Sequence, residues 1–197
     1  NVFIAIIWPS AVGKDAQINQ FIKNIVYEKQ VKLNSNGAHN LLSQIYYGEE
    51  WAGSVEDDFK GSNGKFIECF KTLNSIRFIA FQSNSIEEVR GVKENIRNIF
   101  NIGKHSIHIT DNQIEAVRVS RILLNENSIH FLNYAKPNKF LSTHEKIKNF
   151  KFFLIQNNIK NEDIILDASI ILSAYGLREA RDTDFFCINN KSIKHKL

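Results

Sequence analysis

A run of six apolar residues, Val2–Ile7 (VFIAII), constrains this chain more than any other stretch. Side chains of a strand alternate between the two faces of a sheet, so a strand that is apolar throughout is covered on both. Pro9 stops the run, since proline has no amide to give to a ladder. The run reads as a buried central strand around which the other elements must be laid.

Helical and strand periods alternate behind it. Asp15 is placed to cap a helix carrying Ile18, Phe21, Ile22 and Ile25. Val31 and Leu33 alternate with Lys32 as a half-exposed strand, and residues 34–37 form a turn cluster. Residues 38–47 read as a helix with Leu41, Leu42 and Ile45 on one face. The acidic, glycine-bearing residues 48–64 read as a loop, and residues 65–73 as a short helix burying Phe66, Phe70 and Leu73. A strand over 75–81 and, over 85–100, a helix or two short ones come next.

Residues 104–121 (KHSIHITDNQIEAVRVSR) join a strand to a helix. Ile107 and Ile109 face one way, His108 and Thr110 the other, and Thr110 or Asp111 can cap the helix on which Ile114, Val117, Arg118 and Arg121 recur. An imidazole so placed can act as nucleophile or general base, beside a helix terminus that favours anions. The plain alternative is a strand histidine hydrogen-bonded to a neighbour. The order β-α-β-α-α-β-α-β-α predicts an α+β fold, one antiparallel sheet with helices packed on a face.

Composition narrows the partners. The net charge of +4 is spread along the chain, with its densest patch at Lys191, Lys194 and Lys196. That suits phosphorylated small molecules and lacks the concentrated stripe of a duplex binder, so nucleic acid is not expected. Cys69 and Cys187 lack metal-ligand spacing and read as reduced thiols of a cytoplasmic protein. No apolar run reaches membrane-spanning length, so no membrane is expected. The chain opens on Asn1 and reads as a fragment or a trimmed chain. A homo-oligomer stays open.

Three stretches, VFIAIIWPSA, KFIECFKTLNSIRFIAF and ENIRNIFNIGKHSIHITDNQIEA, resemble a nucleoside diphosphate kinase in the right order. That family opens on a strand ending in Lys-Pro-Asp, carries Thr-Ile-Arg-Gly-Asp-Phe where this chain has residues 95–100, and ends on Asn-x-x-His-Gly-Ser-Asp, whose His is phosphorylated. The resemblance implies a ferredoxin-like antiparallel sheet. It makes His108 the phosphate carrier and Arg97 a phosphate-binding arginine, and sets Thr110 and Asp111 in place of the Ser and Asp. The chain departs from the pattern at Trp8 for Lys, Ser10 for Asp, His105 for Asn and Ile109 for Gly, and it is shorter between the 76–81 strand and Arg97. A phosphate-contacting cation is therefore expected to be missing, with Arg90 or Lys93 as substitutes, and a fast kinase is not expected.

A second constellation comes after a connector at 137–142 and a helix over 144–155. A strand at 164–166, a helix over 168–175 ended by Gly176, and a strand over 182–188 place Asp182 and Asp184 on one face. Two such carboxylates suit Mg²⁺ carrying a nucleoside triphosphate. The pattern resembles the nucleotidyltransferase superfamily of DNA polymerase β, whose glycine-bearing turn, helix and Asp-x-Asp imply Ser169 in the turn and Asp182 and Asp184 at the metal, with Arg178 available to phosphates. Asp167-Ala168 stands where glycine is expected, and the third carboxylate of that family is absent, so the segment reads as the opening of a partial α/β domain. The expected layout is a kinase-like domain over 1–136, a linker over 137–143 and the transferase-like part over 144–197. The expected function is phosphotransfer-related nucleotide binding, or else a non-catalytic sensing or assembly module beside a transferase.

Overall fold

The structure, a computed structural model, describes residues 1–188, so the Lys191, Lys194 and Lys196 patch lies outside the described residues. The chain divides into two compact units, one of Asn1–Ser54 with Phe59–Asn133, the other of Val55–Asp58 with the segment from Tyr134 onward. Among the described residues no helix is long and apolar enough to cross a membrane.

The first unit is α+β. β1 (Val2–Ile7), β2 (Ile25–Val31), β3 (Ile76–Gln82) and β4 (Ile107–Ile109) form one sheet in the order β2-β3-β1-β4. Every neighbouring pair is antiparallel. The helices are α1 (Asp15–Phe21), α2 (Ser35–Ile45), α3 (Lys60–Cys69), α4 (Ile86–Phe100), α5 (Gln113–Leu123) and α6 (Glu126–Tyr134). Helices cover both faces of the sheet, not one. Ile4, Ile6 and Trp8 pack with residues of α2, α3 and α5, while Phe3, Ala5 and Ile7 pack with residues of α1 and α4. The fully apolar β1 requires this, because each face of it buries side chains that water would otherwise meet.

Several local expectations are corrected. Asp15 does not cap α1: it opens the helix and pairs with Arg77 on β3. Ile25 leaves the helix and starts β2, which ends at Val31 instead of continuing to Leu33. The cluster at 34–37 is a helix start, where the Asn34 side chain accepts from the Gly37 amide. The stretch 48–64 holds two 3-10 turns, and α3 begins at Lys60 behind Phe59, which sits at φ 50°. Leu73 is exposed. At α5 the cap is Asn112, not Thr110 or Asp111, and the buried face is Ala116, Val119 and Leu123, with Ile114 and Val117 exposed.

The second unit holds α7 (Leu141–Gln156), longer than expected at both ends, and a two-stranded antiparallel pair, β5 (Ile164–Asp167) and β6 (Asp184–Cys187), joined through α8 (Ser169–Ala174). Phe150, Phe153 and Leu154 form its core, with Phe185 at 4.8 Å from Phe150 between ring centroids. Asp182 precedes β6 instead of lying in it, so the strand period does not set its direction. Ala168 is at φ 53°, ψ −126°, a conformation that costs an L-residue and suits glycine. Ala168→Gly is therefore expected to stabilise this unit by about 1 kcal/mol, measured as a raised urea midpoint.

Candidate functional site

The site is a cleft of about 630 Å³ in the first unit. The end of α2, the start of α5, α3, α4 and β4 each contribute to its wall. Five cations line it (Lys65, Lys93, Arg97, Lys104 and Arg118) against three carboxylates, Glu49, Asp111 and Glu115. The local potential therefore favours an anionic ligand. Tyr46 and Trp51, with ring centroids 4.9 Å apart, form an aromatic part of the same wall.

His108 stands in β4 opposite Ile6, on the face away from Ile107 and Ile109. Its Nε2 lies 2.9 Å from Glu115 Oε1, and Tyr46 meets the ring edge-on at 5.6 Å. The other Glu115 oxygen accepts from the Asp111 amide at 2.7 Å. Burial raises the Glu115 carboxyl, yet the His108 contact and the Asp111 amide outweigh it and hold the group below its ordinary range. An ionised Glu115 only accepts, so Nε2 is the donor in this contact and Nδ1 is the ring nitrogen left outside it. Among the described residues no hydrogen bond engages Nδ1. Burial pushes the Tyr46 phenol well above its usual value, keeping it neutral beside the imidazole.

The cleft brings His108, Arg97 and Asp111 together. Arg97 pairs with Glu94, one turn away on α4, and its Nε is buried without a partner. Asp111 faces Lys93 at 3.6 Å, and Lys93 also donates to the Ile109 carbonyl at 3.2 Å. Of the two expected substitutes, Lys93 lines the cleft, whereas Arg90 is exposed and is not among the lining residues. Thr110 is fully buried, and its Oγ1 accepts from the Ile4 amide at 3.0 Å, so it serves the sheet rather than the cleft. Trp8 is also fully buried, against Phe70 at 5.7 Å.

In the second unit the Ser169 hydroxyl donates to Asp182 Oδ1 at 3.1 Å. Asp184 lies opposite Asp167 in the β5–β6 register, and Asp182, Asp184 and Arg178 are all exposed. Among the described residues no group of three or more His, Cys, Asp or Glu side chains is gathered for a metal.

Sequence reasoning missed Glu115, Lys65, Lys104 and the Tyr46–Trp51 pair. Glu115 had a legible signal: it stands three residues after the cap Asn112, the spacing of a capping box whose acid reaches back toward the chain before the helix. The others are joined only by tertiary packing. In comparisons with known proteins, no family model and no curated protein matches this chain.

Proposed function

We propose that the first unit is a diverged nucleoside diphosphate kinase-like domain that binds a nucleotide through its phosphates, with His108 as the phosphate carrier. The observation that carries this reading is the pairing of His108 Nε2 with Glu115 beside a cation-lined cleft, which leaves Nδ1 as the nucleophilic nitrogen. The sheet order β2-β3-β1-β4, antiparallel throughout, supports a ferredoxin-like fold. In this reading the Nδ1 lone pair attacks the γ-phosphorus of a nucleoside triphosphate. The bond to the β–γ bridging oxygen breaks, and the diphosphate leaves with that electron pair. Glu115 offsets the positive charge of the phosphorylated ring, and Arg97 and Lys93 face the transferring oxygens.

The second unit supports a nucleotidyltransferase-like opening on two points. The backbone at Ala168 takes the conformation of a glycine turn, and Ser169 and Asp182 are in contact. Mg²⁺ carrying a nucleoside triphosphate would rest there on Asp182 and Asp184, with Arg178 nearby in sequence. The burial of Trp8 at the position of the family's lysine favours a second reading, a nucleotide-sensing module without turnover.

Incubation with γ-labelled ATP distinguishes the two. Carrier chemistry gives acid-labile label that His108→Ala abolishes. Nucleotide binding without label supports the sensing module, and label that survives the substitution places the nucleophile elsewhere.

A further inference from the structure

Lys65 projects from α3 into the cleft at 6% exposure. A buried ammonium normally faces a carboxylate, because the loss of hydration must be offset by an opposite charge. Among the described residues Lys65 has no ion pair. Its Nζ donates to the Lys104 carbonyl at 2.6 Å and lies 5.5 Å from the centre of the Tyr46 ring. The charged side chains of the cleft with the largest effect on it, Lys104, Arg97 and Lys93, carry its own sign, and the carboxylates of the same wall, Glu49, Asp111 and Glu115, form no ion pair with it among the described residues. Cys69, one turn along α3, is the group that could answer the charge, but burial pushes that thiol up to about 12 and leaves it neutral at pH 7. Burial first, and then these cations, disfavour the ammonium and hold its pKa below the ordinary lysine value.

An ammonium has three donors, and the protein engages one of them with a carbonyl. Around it, His105 Nδ1, Arg97 Nε and Arg118 Nε are buried without partners and belong to residues of the same wall. A set of unmet polar atoms around an unpaired buried cation costs stability in the free protein, and such cost gathers where a ligand relieves it.

We propose that Lys65 is the anion-anchoring residue of the cleft, its ammonium contacting a phosphate group of a nucleoside di- or triphosphate. The proposal rests on the cleft being a phosphate site and is independent of phosphoryl transfer to His108. It predicts a trade between binding and stability. Lys65→Met removes the uncompensated charge, so the ligand-free protein melts at a higher temperature while affinity for the anion falls.

The test is calorimetric titration of the full chain with inorganic pyrophosphate and with ADP, alongside thermal melting without ligand. Lys65→Met and Lys65→Gln are expected to weaken binding of both probes by roughly ten- to a hundredfold, the range for one lost charge-assisted hydrogen bond. Lys65→Met is expected to raise the melting temperature, and the exposed-lysine control Lys32→Met is expected to change neither. A lower melting temperature for both Lys65 variants would show a structural residue that holds the Lys104 turn, and would overturn the proposal. Binding by the wild type that both variants retain would also overturn it, leaving the proposed function intact. A wild type that takes up neither pyrophosphate nor ADP would remove the phosphate reading of the cleft and this proposal with it.

Discussion

Replacing Arg77 with methionine is expected to destabilise the first unit by about 3 kcal/mol, the low end of the cost of breaking a buried ion pair. Arg77 lies on β3, on the face shared with Ile79 and Phe81, and its side chain is 7% exposed. Its guanidinium meets both oxygens of Glu28 on β2, at 2.6 and 2.8 Å. It also reaches Asp15 at 3.0 Å and Asn19 at 2.7 Å, both on α1. One fork therefore ties a strand edge and a helix to the sheet, in the bidentate geometry only arginine provides. The low end applies because Glu28 and Asp15 are 38% and 66% exposed, so water takes over part of their solvation once the cation is gone. The effect has a pH signature. The Arg77 hydrogen bonds, opposed by burial, hold the Glu28 carboxyl below its ordinary range. A depressed carboxyl contributes stability above its unfolded value and loses it as pH falls through the folded one. The gap between wild type and Arg77→Met should therefore be full at neutral pH and narrow on acidification below pH of about 4. Urea unfolding of both proteins across that range measures it. Coincident midpoints at pH 7 would show that the network contributes nothing.

Gly61→Ala should cost about 3 kcal/mol, the upper part of the usual overpacking range. A Cβ at Gly61 would sit 1.8 Å from the Trp51 carbonyl oxygen and 2.8 Å from its carbon, both backbone atoms that cannot rotate away. Either α3 or the 3-10 turn at Glu50–Ala52 must move, and Trp51 and Gly61 both line the cleft, so ligand affinity should fall together with stability. Gly64 is the internal control. It lies one turn further along α3 with nothing within 4 Å of its missing Cβ. Gly64→Ala should therefore stabilise by about 0.5–1 kcal/mol through the lower entropy of the unfolded chain. The same substitution three residues apart is expected to shift the urea midpoint in opposite directions. Equal midpoints for the two variants would contradict the close packing of α3 on Trp51.

The parts legible in the sequence are those set by local periods. β1, β3 and α4 lie close to where their apolar runs and helical period put them, and α4 is a single helix capped by Ser85. β2 was less legible because it is an edge strand: Ile25, Val26 and Tyr27 are exposed, so its pattern carries no buried stripe, and pairing with β3 defines it. The turn read at 34–37 shows another limit. An asparagine side chain that accepts from an amide three residues on serves a turn and a helix cap equally. Here the helical run of α2 and its packing against β1 decide for the cap.

By itself the sequence determined a central strand apolar on both faces, the order of strands and helices around it, and a histidine on a short strand ahead of a helix, because each comes from the spacing of neighbouring side chains. Only the tertiary structure decided that both faces of the sheet are covered, that Glu115 holds one nitrogen of His108, and that Lys65, among the described residues, lies buried beside other cations with no ion pair of its own. Those relations join residues from separate elements, Lys65 and Lys104 lying 39 positions apart along the chain. Burial, which makes an unpaired charge costly and a paired one directional, exists only once the elements have packed.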